Sequence, residues 1–214
     1  VEQIAVLDYG LSNLRSVVKA LEHVASSGQK VSLCERAEDL RRADRIVFPG
    51  QGAIGDCMTN LRRLDLVETL RESIASKPYL GICLGLQSLM SSSDEDSGTK
   101  GLGIIPGRVT RFAAGLSDPR NGERLKIPHM GWNQVRIDKP HPLWEGIVDG
   151  SRFYFVHSYY VVPNASEDSA AHCDYGGPFC CALARDTLFA VQFHPEKSQV
   201  NGLRLLSNFL RWRI

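Results

Sequence analysis

Cys83 stands between two glycines, each two positions away, in Gly81-Ile82-Cys83-Leu84-Gly85. The segment has the small-x-nucleophile-x-small form of a strand-to-helix turn, with cysteine as the nucleophile. Such a turn is sharp, its flanking residues crowd each other, and glycine removes the Cβ atoms that would clash. A side chain on it projects from the C-terminal edge of the sheet, where open α/β folds hold their sites. A helix starting at Leu84 directs its positive end toward the sulfur and favours thiolate over thiol. Taken alone, the pentapeptide is equally compatible with a buried structural thiol beside a tight turn.

A thiolate nucleophile calls for a histidine, and the histidine for an acid that orients it. Of the six histidines, His194 lies in VQFHPEKS, where an apolar strand runs into it, Pro195 stiffens the turn and Glu196 follows two positions on. Cys83, His194 and Glu196 read together as nucleophile, base and orienting acid. His157, in FYFVHSYY, is the competing base but has no carboxylate beside it, and His23 and His141 read as structural or surface residues. No pair of His, Cys or acidic residues has zinc-ligand spacing, so no metal is expected. In FPGQGAIGD, Gly50-Gln51-Gly52 close an expected strand next to the Cys83 turn. The N–H groups near Gln51 and of Leu84 are candidates to bind the oxygen anion of a tetrahedral intermediate. Alone, this segment is also a plain glycine-rich turn, and it lacks the G-x-x-x-x-G-K-[ST] of a phosphate loop.

The elements that must position these residues alternate in the first half. QIAVLDYG reads as a strand, NLRSVVKALEHV as a helix capped by Ser12 or Asn13, KVSLCE as a strand, AEDLRRA as a short helix and DRIVFPG as a third strand. Two helices follow, around 55–62 and 64–76, then the strand KPYLGIC and a helix over LGLQSLMSS. SSSDEDSGTKG, 91–101, reads as a polar loop. After it come short strands in GIIPGRVTRF, WNQVRI, RFYFVHSYYVV, SAAHCDY, CCALARD and LFAVQFHPEK, and GLRLLSNFLRWRI closes as an amphipathic helix. Strand–helix repetition predicts an α/β fold in three layers: a central, mostly parallel sheet with helices on both faces and extra antiparallel strands in the second half.

The 214 residues, 43% of them hydrophobic, suit a single domain over 1–214. A net charge of +1 without a long basic run gives no electrostatic case for nucleic acid. The apolar stretches fall far short of the ~20 residues of a membrane span, and VEQIAVLDYG is a strand pattern rather than a signal peptide. Six cysteines without C-x-x-C spacing suit a reducing, cytoplasmic location, most of them as small core residues.

GICLGLQ, PGQGA and FHPEK together resemble the class I (triad) glutamine amidotransferase family. Within it, DYGLSNLRSV, PHMGWNQV and FYFVHSYY are similar to the glutaminase subunits of imidazole glycerol phosphate synthase, and the likeness runs from Val6 to Leu210. The resemblance implies Cys83 as nucleophile, His194 as base and Glu196 as third member of a triad. It implies Gly50, Gln51, Gly52 and Leu84 at the oxyanion, and Gln87, Ser158 and Tyr159 around the substrate glutamine. It further implies a cofactor-free glutaminase, poorly active alone, that forms a heterodimer with a (β/α)8-barrel synthase. Ammonia passes to that partner and reacts with the phosphoribulosyl nucleotide PRFAR, giving imidazole glycerol phosphate and AICAR in histidine biosynthesis. Trp132, Tyr154 and Lys197 would lie near the interface. Two positions depart from the family pattern: Ser12 replaces a usual glycine, and Gln51 a usual valine; if this position works through its backbone N–H the side chain is free to vary, and if the strand must flip to become active Gln51 alters that switch. A glutaminase of pyridoxal phosphate or anthranilate synthase is the nearest alternative, disfavoured by DYGLSNLRSV and PHMGWN. A cysteine hydrolase on the α/β-hydrolase plan would carry its histidine after a separate Asp. A non-catalytic regulatory module need not keep Cys83, His194 and Glu196 together.

Overall fold

Continuous apolar runs build the inner strands of the first half, as a sheet covered on both faces requires; the edge run QKVSLC alternates instead. The computed structural model describes residues 1–10 and 14–214; the expected helix cap at Ser12 or Asn13, and the departure at Ser12, lie outside the described residues. The order is β1 (Glu2–Leu7), α1 (Leu14–Val24), β2 (Gln29–Cys34), α2 (Ala37–Arg42), β3 (Arg45–Gly50), α3 (Ile54–Arg63), α4 (Val67–Ser76) and β4 (Tyr79–Cys83). There follow α5 (Leu84–Gln87), β5 (Met90–Ser93), β6 (Thr99–Lys100), β7 (Ile105–Arg111), β8 (His129–Gln134) and β9 (Arg136–Ile137). The chain ends with β10 (Arg152–His157), β11 (Tyr159–Pro163), β12 (Ser169–Asp174), β13 (Pro178–Arg185), β14 (Leu188–Val191) and α6 (Gln199–Arg211).

Strands β2, β1, β3, β4 and β14 lie side by side in parallel, and the same sheet continues antiparallel through β13, β11 and β7 to a rim of β5 and β6. Every residue of β3, β4 and β14 is buried. Successive residues of β1 serve opposite faces, as the two-residue period of a strand dictates. Ile4 and Val6 pack toward Val17 and Leu21 of α1 and Leu205 and Phe209 of α6. Ala5 and Leu7 pack toward Leu40, Leu61 and Leu70 of α2, α3 and α4. The two interior layers thus clamp the sheet, and its C-terminal edge is left for the site. Strands β8 and β10 form a separate antiparallel ribbon. Among the described residues no helix is long and apolar enough to cross a membrane.

Four expectations change. WNQVRI is two strands parted at Val135, β8 in the ribbon and β9 beside β12 in the main sheet. The helix after Cys83 is a single turn ending at Gln87, and Met90–Ser93 is a strand beside β7. Three successive serines favour local backbone bonds over helix, and the buried Met90 anchors the segment in the sheet instead. The polar stretch 91–101 is correspondingly not a plain loop: it holds β5, a 3-10 turn at Glu95–Ser97, and β6. RFYFVHSYYVV is two strands, not one, parted at Ser158, with β10 in the ribbon and β11 in the main sheet. No glycine or proline announces that break; the imidazole of His157 bonds across it to the Tyr159 carbonyl oxygen at 2.8 Å.

Candidate active site

Strand β4 carries Cys83 to the sheet edge with φ +53° and ψ −100°. That is left-handed backbone for a residue with a Cβ, and such strain persists only where the surroundings impose it. The flanking glycines make it possible. A Cβ on Gly81 would lie 2.7 Å from the Gly85 carbonyl oxygen, and one on Gly85 would overlap the Phe48 carbonyl oxygen of β3. The Tyr79 hydroxyl donates to the Gly85 oxygen at 2.8 Å and pins the far side of the turn.

On one side of β4, β3 ends with Gly50 paired opposite Cys83. This puts the segment Gly50, Gln51 and Gly52 beside the sulfur, with Gly52 at φ +93°, where glycine is favoured. Leu84, buried, opens α5 directly after the nucleophile. On the other side, β14 leads to His194, which is 2% exposed. His194 Nδ1 lies 2.8 Å from Glu196 Oε1. An ionised carboxylate only accepts, so Nδ1 holds the proton in that bond and Nε2 is the working nitrogen. Pro195 opens a 3-10 turn, Pro195–Lys197, that holds imidazole and carboxylate in this relation. Burial pushes the His194 imidazole down, but the Cys83 sulfur and the Glu196 carboxylate together outweigh it and hold the group well above the usual imidazole range. Among the described residues Nε2 is buried without a formed hydrogen bond, and the Cys83 sulfur is among the groups that act on the ring. The main chain of His194 is fixed from outside: its N–H donates to the Tyr154 carbonyl oxygen at 2.9 Å. The Ser198 hydroxyl bonds the Tyr154 N–H at 3.0 Å.

A cavity of about 270 Å³ opens on this edge, walled by Cys83, His194, Gln51, Gly52 and Leu84, and by Gln87, Ser158 and Tyr159. Gly50 and Glu196 stand behind the wall. His157 also faces the cavity but is bonded elsewhere, 2.9 Å from His129 Nδ1 through Nε2 and to the Tyr159 oxygen through Nδ1. Burial pushes His157 down to about 3 and His129 to about 4, so both rings stay neutral near pH 7, and both ring nitrogens of His157 are already engaged. Trp132, Tyr154 and Lys197 cluster on the outer face of the ribbon. Trp132 and Tyr154 are cross-strand partners with ring centroids 6.1 Å apart, and Lys197 Nζ lies 5.9 Å from the Tyr154 ring centre. Met130, 61% exposed, extends this apolar face and was not among the expected residues.

Glu95 is a wall residue that sequence reasoning missed. Its Oε2 accepts from the Ile54 N–H at 3.0 Å, tying the turn after β5 to the start of α3. Burial pushes its carboxyl up, the Ile54 bond opposes this in part, and the neighbouring Asp96 and Asp56 add to the rise. Within the run DED it carries no signal that separates it from a solvated acid.

A family model for class-I glutamine amidotransferases matches residues 5–212. A Nitrosospira multiformis protein named imidazole glycerol phosphate synthase subunit HisH is 55% identical over 210 residues, 98% of this chain and 98% of that one. The protein of the same name from Methylococcus capsulatus is 54% identical over 210 residues, 98% of this chain and 96% of its own. A solved structure described as a glutamine amidotransferase superposes with a TM-score of 0.72 at 18% identity, covering 97% of each chain. PurLQS from Thermotoga maritima gives a TM-score of 0.71 at 17% identity, covering 98% of each. At such identities these two structures speak to the fold alone.

Proposed function

The chain belongs to the class-I glutamine amidotransferase family, with the HisH subunits of imidazole glycerol phosphate synthase as its relatives, and we propose from this premise how its residues carry out the reaction. It is a glutamine amidotransferase subunit of imidazole glycerol phosphate synthase and acts in histidine biosynthesis. The Cys83 thiolate attacks the side-chain carbonyl carbon of glutamine. The oxygen that becomes negative is received by backbone N–H groups of the segment 50–52 and of Leu84. The imidazolium of His194, oriented by Glu196 and favoured by the Cys83 sulfur and the Glu196 carboxylate, gives its proton to the departing ammonia. A water then loses a proton to His194 and opens the thioester. Glutamate leaves, and thiolate and imidazolium are restored. Atoms balance as glutamine plus water to glutamate plus ammonia.

Gln87, Ser158 and Tyr159 line the place of the substrate, and Glu95, the single carboxylate on that wall among the described residues, is suited to the ammonium of an amino acid. The ribbon face of Trp132, Tyr154 and Lys197, with Met130, is the docking surface for a barrel synthase that takes up the ammonia in the cytoplasm. The observation that carries this reading is the strained Cys83 turn on β4 with the His194–Glu196 pair at the end of the adjacent strand β14. The test is glutamate release from glutamine by the chain alone, with the barrel synthase, and with synthase and nucleotide. The expected result is a low rate alone, a large rise in the ternary mixture, and no release from Cys83→Ala, which still binds the partner. Release unchanged by the synthase would sink the partner assignment, and full activity of Cys83→Ala would sink the mechanism.

A further inference from the structure

The sulfur of Cys83 has a hydrogen-bond donor that lies outside the triad. Gln192, two residues before His194, is fully buried, and its Nε2 lies 3.5 Å from Cys83 Sγ. Which end of a buried amide faces a neighbour follows from the bonds around it, and here one group sets the whole sequence. The main-chain oxygen of Tyr159 can only accept, so Gln87 turns Nε2 toward it, at 3.1 Å. The second hydrogen of that nitrogen meets Gln192 Oε1 at 3.1 Å. With its oxygen engaged, Gln192 presents N–H to the sulfur. Reversing Gln192 would set two donors face to face; reversing Gln87 as well would set two acceptors against each other at Tyr159.

The Tyr159 oxygen is itself held from a second side. It accepts from His157 Nδ1, which leaves His157 Nε2 to accept from His129 Nδ1, and His129 Nε2 to accept from Asn133 Nδ2 at 3.2 Å. Both chains of donors run consistently in one direction, and none of their members has to titrate to keep its role.

We propose that Gln192 is a catalytic residue of this site, whose N–H holds the charged sulfur of Cys83 in place before substrate arrives, and that Gln87 is the positioning residue that aims it. A hydrogen bond to an ionised acceptor is about twice as strong as a neutral one, and exclusion of water strengthens it further. An amide suits the task because it stabilises the anion without offering it a rival proton, and proton donation stays with the His194 imidazolium. The inference rests on Cys83 being the nucleophile proposed above, but its readout needs no turnover.

The test is alkylation of Cys83 by iodoacetamide in the full chain over a pH series, read by mass on the Cys83 peptide. Gln192→Glu keeps size and replaces the donor with a carboxylate oxygen. It is expected to slow alkylation at neutral pH by about tenfold or more and to move the midpoint of the pH profile upward. Gln192→Met, which removes the donor without adding charge, should do so less. An unmoved midpoint in variants with wild-type circular dichroism and melting overturns the proposal. If both variants fail to fold, side-chain amide spectra of glutamine-labelled wild type and Cys83→Ala decide: a glutamine resonance must move when the sulfur is removed, and no movement overturns the proposal. A wild type that shows the expected thiolate behaviour and releases no glutamate would count against the glutaminase chemistry while leaving this bond standing.

Discussion

Glu95 does two things with two oxygens: one holds the Ile54 N–H, and the carboxylate as a whole faces the cavity. Gln in its place keeps an acceptor for Ile54 and removes only the charge. Glu95→Gln is therefore expected to raise KM for glutamine about tenfold or more, the value of one charged hydrogen bond, with kcat changed far less; equal loss in kcat with KM intact would remove Glu95 from the substrate's ammonium. The contrast between residues that were readable and those that were not is one of sequence distance. Cys83 with its glycines, and His194 with Glu196, announce themselves because their chemistry is local: a turn of five residues and a bond between positions two apart. Glu95 and Gln192 act through partners 41 and 109 positions away, on Ile54 and Cys83. Nothing in the neighbouring letters distinguishes either one from an ordinary polar residue.

Among the elements, α6 shows how a helix can serve the site without touching it. A Cβ on Gly202 would overlap the carbonyl oxygen of Pro195, so the helix rests directly on the turn that carries Glu196. Two effects compete in Gly202→Ala. Helix propensity favours Ala by about 1 kcal/mol, whereas overpacking against rigid backbone costs about 1–3 kcal/mol or more. The overlap should win, because the atom it meets is main chain and cannot rotate away. The expected outcome is a lower urea midpoint together with a lower kcat; a rise in stability would show that the contact relaxes freely. The parallel half of the fold was legible because its inner strands are apolar runs followed by a helical period, whereas the edge strand β2 alternates at Lys30 and Ser32. In the second half β7, β12, β13, β14 and α6 were legible too, but β5, β6 and the break between β10 and β11 were not. Strands β5 and β6 consist of serine, threonine, lysine and one methionine, and are held by pairing rather than propensity. The division of β10 from β11 at Ser158 is imposed by two sheets competing for one apolar stretch.

For the molecule as a whole, buried neutral imidazoles set a limit on the acid side. Burial pushes His129 and His141 down to about 4 and His157 to about 3, from a usual value of 6.5. The unfolded chain takes up protons at these rings below 6.5 while the folded chain refuses them, so their contribution is complete above that pH and is lost as pH falls toward 4 and then 3. The loss should reach about 3 kcal/mol or more. Denaturant midpoints measured downward from neutral pH are expected to fall through this window, with a shallower fall in His129→Gln; an identical slope in that variant would remove His129 from the account. A different consequence follows from the single main-chain bond that runs from the N–H of His194 to the carbonyl of Tyr154. The ribbon bearing Trp132 is a handle on the outside of the protein, and the proposed base is attached to it at Tyr154, the cross-strand partner of Trp132. A rigid antibody fragment gripping the handle would act as a brake rather than a plug: turnover would slow, the glutamine pocket would stay open, and no excess of glutamine would restore the speed.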